Sequence, residues 1–336
     1  MVSAYIRFGD GSISTDADES TLLRAVRDPK AIFWLDMDRP DDNELALLDD
    51  VFGFHPLAIE DTIQYNQRPK IESYNHVGAM CNSGYFYLVI HGPDVATFKE
   101  KLRTKELDMF LSERYLVTIH DEPMGSIQDA RTRVSTNPAR ILDGGVDMLL
   151  HYILDHVIDA YIPIFDWMQE KIDDIEEQAA GNPTKELLLA IGATKRDLLS
   201  LRRVIGPQRE VIAQLTRGDV PFIREQARVY LRDVQDHLNR AVETIEIYRD
   251  LVLGARDIYL SSISNHLNQI MKTLTIISVI ALPMTVITSF FGMNFSQGVP
   301  AFDHMLHSPV SFFIAMGLML ALVAALLYMF RLKKWI

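Results

Sequence analysis

The side chains best suited to handling an ion lie in a stretch with no charge. Thr273, Thr275, Ser278, Thr285, Thr288 and Ser289 place hydroxyls in the run TLTIISVIALPMTVITSFFG (273–292), and a heptad-like series runs through Asn268, Met271, Thr275, Ser278, Leu282, Thr285 and Ser289. Hydroxyl and carboxamide oxygens accept hydrogen bonds from the water around a hydrated cation. In a membrane helix the same groups also bond back to their own backbone or to a neighbouring helix, so the stripe alone fits a pore lining and simple packing equally well. A second group of polar residues, Asp173, Asp174, Glu176 and Glu177 in IDDIEEQ (172–178), reads as a solvated acidic face.

The elements that must position the stripe are two apolar segments. Residues 273–292 and 309–330 carry no charge, and each is long enough to cross about 30 Å of hydrocarbon at 1.5 Å per residue. Lys272 precedes the first, Arg331, Lys333, Lys334 and Trp335 follow the second, and the loop between them has no basic residue. The positive-inside rule therefore predicts a multi-pass protein of the inner (plasma) membrane with both termini in the cytoplasm. Two spans cannot enclose a water-filled path, so any pore requires several copies.

Charge is segregated along the chain. The 336 residues hold 33 basic and 45 acidic side chains, a net charge of −12. From Thr273 onward only Asp303, Arg331, Lys333 and Lys334 are charged, which leaves −14 on the first 272 residues. The single cysteine, Cys81, excludes an internal disulfide and a multi-cysteine metal centre. The N-terminus lacks a secretory pattern, and basic residues interspersed with acids give no nucleic-acid footprint.

Short β-branched or aromatic runs at 4–8, 31–37, 85–91, 107–112 and 114–120 predict an α/β domain over residues 1–140. Apolar residues every three or four positions then predict one helix from Val146 to Gln178, a break at Gly181-Asn182-Pro183, and a second helix from Thr184 to about Leu215; together they form an antiparallel hairpin within 141–220. Between Pro221 and Pro283 there is no proline and one glycine, so a single stalk helix, on the order of 90 Å long, runs through 221–292 into the first span. An extracytoplasmic loop (293–308), the second span (309–330) and a basic tail (331–336) complete the expected order.

At the outer end of the first span stands Phe291-Gly292-Met293-Asn294-Phe295. Gly292-Met293-Asn294 closing the penultimate apolar helix of a two-span C-terminus is similar to the CorA family of magnesium channels. SSISNHLNQIMKTLTII (261–277), HPLAIEDTIQYNQRPKIE (55–72) and LDMFLSERYLVTIH (107–120) extend the resemblance over essentially the whole chain. It implies a funnel-shaped homopentamer with an α/β cytoplasmic domain, a helical stalk and two membrane helices. It also implies passive, potential-driven uptake of Mg²⁺, with Co²⁺ and Ni²⁺ as further substrates, and no organic cofactor. Mg²⁺ surrenders its water reluctantly, so a ring of Asn294 carbonyls suits a hydrated ion. Gly292 and Met293 complete that filter.

The same resemblance places Asn268, Met271, Leu274, Ser278, Leu282, Thr285 and Ser289 along the pore, with an apolar constriction that gates by dewetting, and Asp257 in an acidic ring below the membrane. It assigns Glu60, Asp61, Asp155 and Asp233 to divalent-ion sites between subunits that hold the channel shut, with affinity near 10⁻⁴ to 10⁻³ M, on the order expected of an open oxygen site. A divalent ion moving inward gains about 4.6 kcal/mol per 100 mV, and the chain has neither a phosphate-cradling loop nor a nucleophile constellation, so neither a pump nor an enzyme is indicated. Phe291 replaces the family's usual Tyr, and Ala301 the usual loop acid, with Asp303 close by. His304 and His307 read as scattered surface residues. A zinc-transporting branch of the superfamily and a non-conducting, membrane-anchored cation-binding scaffold are the competing readings.

Overall fold

Side-chain alternation organises the sheet. In β3 (Ile32–Asp38), Phe33, Leu35 and Met37 project to one face and Trp34 and Asp36 to the other, and all five are buried because helices cover both faces. The other strands are β1 (Val2–Arg7), β2 (Ile13–Ser14), β4 (Lys70–Tyr74), β5 (Tyr85–Pro93), β6 (Thr104–Leu111) and β7 (Tyr115–His120). Their spatial order is β2-β1-β3-β7-β6-β5-β4, antiparallel except for the β3–β7 pair. The five expected strands are present; β2 and β4 are added at the two edges. The computed structural model describes residues 1–65, 67–74, 84–181, 183–292 and 308–335.

One face of the sheet packs against α1 (Glu19–Arg27), α2 (Asp42–Asp50) and α3 (Pro56–Ile63). Leu22, Val26, Leu48 and Ala58 join an aromatic core of Phe33, Phe52, Phe54, Phe110 and Tyr115, where the Phe54 and Phe110 rings stack with centroids 4.1 Å apart. A reciprocal capping box of Asp41 and Glu44 starts α2, and Pro56 at the head of α3 fixes its entry. The opposite face carries α4 (Gly125–Thr136), α5 (Pro138–Asp143) and α6 (Val146–Asp159). Here the fully buried Asp36 accepts a hydrogen bond from Thr118 and pairs with Arg131 of α4, which neutralises it and ties α4 to the sheet.

The helix expected to run unbroken from Val146 to Gln178 is two helices. α6 ends at Asp159 and α7 spans Ile162–Gly181, with a turn at Ala160–Tyr161. Pro163 favours the break, since a residue without an N–H is accommodated best in a helix's first turn, where its missing donor costs no intrahelical bond. Tyr161 uses the turn to donate its buried hydroxyl to the His91 carbonyl (2.9 Å), while the His91 N–H donates to Gln208 Oε1 (2.7 Å). These bonds satisfy β5 beyond the end of its pairing with β4, which stops at Val89.

Gln208 lies on α8 (Lys185–Arg217), which tolerates Pro207 within it. α7 and α8 are antiparallel: Tyr161 and Gln208 meet at His91, and Lys171 pairs with Asp197 at 3.1 Å. α8 is likewise antiparallel to α9 (Glu225–Phe291), through Thr216–Gln235 at 2.8 Å and Arg202–Glu246 at 3.0 Å. Arg224, just before α9, donates its backbone N–H (3.0 Å) and Nε (2.9 Å) to the buried Asp147 of α6.

The chain separates into two compact units, Met1–Gln178 with Thr184–Arg256, and Ala179–Pro183 with Asp257–Ile336. The hairpin helices therefore share a unit with the sheet. The second unit contains α9 from Asp257 onward and α10 (Pro309–Leu332), which starts at an Ser308 N-cap followed by Pro309. α9 is a single 67-residue helix that passes through Pro283 without interruption.

Candidate pore and regulatory sites

Burial along the membrane segment of α9 is one-sided. Lys272, Ile276, Ile280, Pro283, Met284, Ile287 and Phe291 are partly covered, and at 100° per residue they share one face. On α10 the partly covered Ser311, Ala315, Met319, Leu322, Val323 and Leu326, together with the buried Phe330, form a similar seam, the pattern of two helices lying side by side. Asn268, Met271, Leu274, Ser278, Leu282, Thr285 and Ser289 are all exposed and centre roughly 160° from the covered face of α9. Met271, Leu274 and Leu282 are 64%, 62% and 67% exposed in the single chain, too much apolar surface for a helix facing water. Asp257, near the start of this segment, is also exposed.

The hydroxyls bond back to their own helix. Thr275 Oγ1 donates to the Met271 carbonyl (2.7 Å), and Thr285 Oγ1 donates to that of Ala281 (2.9 Å). With the proton engaged, each oxygen offers only lone pairs to the exposed face, which makes it an acceptor for the hydrogens of coordinated water. Gly292 ends the helix, its N–H donating to the Thr288 carbonyl (3.0 Å). Its φ is not positive; the constraint is space, because a Cβ there would sit 3.3 Å from the Thr288 oxygen. Met293, Asn294, Asp303, His304, His307 and Cys81 lie outside the described residues.

The four acids assigned to regulation occupy α3, α6 and α9. Among the described residues they form no three-ligand cluster within one chain. On α3, Glu60 accepts a hydrogen bond from Gln64 Nε2 at 2.9 Å, and Asp61 is held by Lys70 of β4, whose ammonium also reaches Glu72 at 3.1 Å. Partial burial pulls the Lys70 pKa down, but the hydrogen bonds to Asp61 and Glu72 outweigh it, so the group stays above its ordinary value and remains charged. Asp155 of α6 and Asp233 of α9 both act on His151, whose pKa is lowered by burial against the pull of these two acids.

Sequence reasoning missed two neighbours. Asp159 and His237 stand four residues beyond Asp155 and Asp233, and one ligand atom from each of Asp155, Asp159 and His237 lies within 4.8 Å of the others. The i, i+4 spacing on both helices was the available signal. Lys70, in the charged edge strand KIESY, was also missed.

Among the described residues, three helical stretches are long and apolar enough to cross a membrane: Val146–Gly181, Glu225–Phe291 and Pro309–Leu332. In the first, 44% of the most apolar window is buried within the protein, and its α6 part packs against the sheet. The corresponding windows of the other two are 0% and 6% buried, so these are the ones left for lipid or for other copies.

Comparison with known proteins fits this geometry. Residues 29–334 match the family described as CorA-like Mg²⁺ transporter protein. The chain is 37% identical over 305 residues to YfjQ of Bacillus subtilis, covering 91% of this chain and 90% of that one. It is 32% identical over 286 residues to the cobalt/magnesium transport protein CorA of Thermotoga maritima, covering 85% and 78%. Its fold superposes on the complete structure of the CorA magnesium transporter from Methanocaldococcus jannaschii with a TM-score of 0.81 at 23% identity, over 99% of this chain and 98% of that one.

Proposed function

Because the chain belongs to the CorA family of divalent-cation transporters, we propose that copies of it surround a pore lined by the exposed stripe of α9 and admit Mg²⁺ passively down the membrane potential. The observation that supports this reading best is the one-sided burial of α9. α10 accounts for one face, and the opposite face carries the acceptor oxygens of Thr275, Ser278, Thr285 and Ser289 among exposed Met271, Leu274 and Leu282. Five copies, the number that the family resemblance implies, enclose this face as a channel. Both termini lie in the cytoplasm, as the basic residues flanking the spans require.

The ion enters hydrated. Asn294 carbonyls at the outer mouth, with Gly292 and Met293, accept hydrogen bonds from its coordinated waters, and the threonine oxygens do so farther in. No carboxylate lies between Lys272 and Asp303, so binding stays weak enough for release. Met271, Leu274 and Leu282 form a constriction that closes by excluding water. Co²⁺ and Ni²⁺, hexahydrated ions of similar size, take the same path.

Closure is set by Mg²⁺ between subunits, on Glu60 and Asp61 of one copy and Asp155 and Asp233 nearby. Like charges repel when the sites are empty and are bridged when they fill. Among the described residues no three of these acids cluster within one chain, which is consistent with a site that a neighbour completes. Asn294→Ala tests the filter: Mg²⁺ flux into liposomes should vanish while the oligomer still assembles, and undiminished flux would remove the filter from this account.

A further inference from the structure

We propose that a proton carried by the buried carboxyl of Asp108 sets how firmly α3 is held on the sheet. Asp108 and Glu106 lie two apart on β6 and so share one face of it. Tyr87 of β5 places its hydroxyl 2.6 Å from Asp108 Oδ1 and 3.5 Å from Oγ1 of Thr62, in the last turn of α3. Glu106 Oε2 accepts the backbone N–H of Gln67 at 3.0 Å, just beyond that helix. Thr62 and Tyr87 have one hydroxyl proton each. Thr62 gives its own to the Ala58 carbonyl (2.9 Å), so it is bonded to Tyr87 only when Tyr87 is the donor. Tyr87 can donate there only if Asp108 supplies a proton instead of taking one. The neutral acid therefore completes a chain from Asp108 O–H to Tyr87 O–H to Thr62 O–H to the Ala58 carbonyl. Ionised Asp108 captures the Tyr87 proton, and the two hydroxyl oxygens at the α3 end then face each other with no proton between them.

The surroundings favour the neutral acid. Asp108 is 1% exposed, and among the described residues its Oδ2 has no hydrogen-bond partner. A carboxylate buried with one oxygen unpaired is costly, and protonation removes most of that cost. Burial first, and then the charge of Glu106, push the Asp108 pKa well above the ordinary carboxylate range; Asp121, next after β7, adds to this, while the Tyr87 hydrogen bond and Lys70 of β4 oppose it. Lys70 Nζ lies 5.4 Å from the Tyr87 ring centroid but is held by Asp61 and Glu72. Tyr65, after α3, faces the same acids; burial and then Asp121 raise its pKa, and burial and then Asp108 raise that of Tyr87, so both phenols keep their protons. With the folded-state pKa of Asp108 raised, the chain is complete at lower pH and is lost as pH climbs through that value.

Because α3 carries Glu60 and Asp61, the proton also tunes closure by Mg²⁺, a consequence that rests on the regulatory reading of those two acids. The test therefore reads α3 first. Hydrogen exchange of the α3 amides is followed in full-length protein in detergent from neutral to alkaline pH, each variant against wild type at the same pH so that intrinsic exchange cancels. Asp108→Asn offers Tyr87 an N–H donor that does not titrate. Its α3 amides should match wild type at neutral pH and exchange about fivefold more slowly than wild type at alkaline pH, the effect of one hydrogen bond. Thr62→Val cuts the far end of the chain, so α3 should exchange about fivefold faster than wild type at neutral pH and match it at alkaline pH. The infrared spectrum at neutral pH should contain a protonated-carboxyl band that Asp108→Asn removes. Equal α3 exchange in wild type and Asp108→Asn at every pH, no effect of Thr62→Val at neutral pH, or an infrared band that survives Asp108→Asn overturns the proposal. The two substitutions lie on different elements, so a folding defect in one leaves the other decisive. If α3 responds as expected while Mg²⁺ inhibition of flux ignores pH, the regulatory reading of Glu60 and Asp61 fails and the proton chain stands.

Discussion

Replacing Lys70 by glutamine should make the channel close at lower internal Mg²⁺. The Lys70 ammonium lies 2.5 Å from Asp61 Oδ2 and 3.1 Å from Glu72 Oε1, with the lysine side chain 25% exposed and that of Asp61 27% exposed. It is a tethered cation already sitting on a carboxylate assigned to Mg²⁺, so a divalent ion must displace it or tolerate its repulsion. With that much solvent access, the pair is worth about 1 kcal/mol. Removing it raises apparent Mg²⁺ affinity about fivefold per site, since each 1.4 kcal/mol is tenfold. The assay is Mg²⁺ flux into liposomes as a function of Mg²⁺ on the cytoplasmic side. The Lys70→Gln curve should move to lower concentration, and in an Asp61→Ala background the same change should have little further effect. An unchanged curve, or one shifted to higher Mg²⁺, would show that Lys70 does not compete for Asp61.

Two further outcomes concern the scaffold. Asp147→Ala removes the buried acceptor of the Arg224 contacts at the entry to α9 and should cost about 2 kcal/mol, read as a melting temperature lower by roughly 4–8 °C in detergent; a shift under a degree would mean that the contact is replaced by water. Asp108 is buried, and that burial, followed by the nearby Glu106, raises its pKa well above the ordinary value, against the opposing hydrogen bond from Tyr87 (2.6 Å). A raised folded pKa contributes stability below the unfolded value near 4 that is lost as pH climbs through the folded value. Asp108→Asn should therefore flatten the decline in melting temperature above about pH 4, and an unaltered slope would refute the assignment.

The membrane half of the protein was legible because apolar length, flanking charge and the polar stripe are one-dimensional signals, and the structure adds only that the stripe lies opposite the covered face of α9. The core strands were equally plain: β3, β5 and β7 are buried on both faces and read as continuous apolar or aromatic runs. β4 was not, because KIESY is a charged edge strand recognisable only once β5 pairs with it. The turn at Ala160–Tyr161 was hidden by unbroken apolar periodicity, and Pro163 was the sign that should have prevailed. Asp61 and Asp155 were assigned through family resemblance, whereas the positions of Lys70 and His237 depend on which helix faces which strand or helix, information that spacing along one segment does not contain.

The most direct test is Mg²⁺ influx into proteoliposomes at a set inside-negative potential, without nucleotide, as internal Mg²⁺ is raised. Influx should follow the potential and fall as internal Mg²⁺ passes through roughly 0.1–1 mM, the range of an open oxygen site. Influx that requires ATP, or that persists unchanged at the highest internal Mg²⁺, would contradict a passive channel closed by the ion it carries.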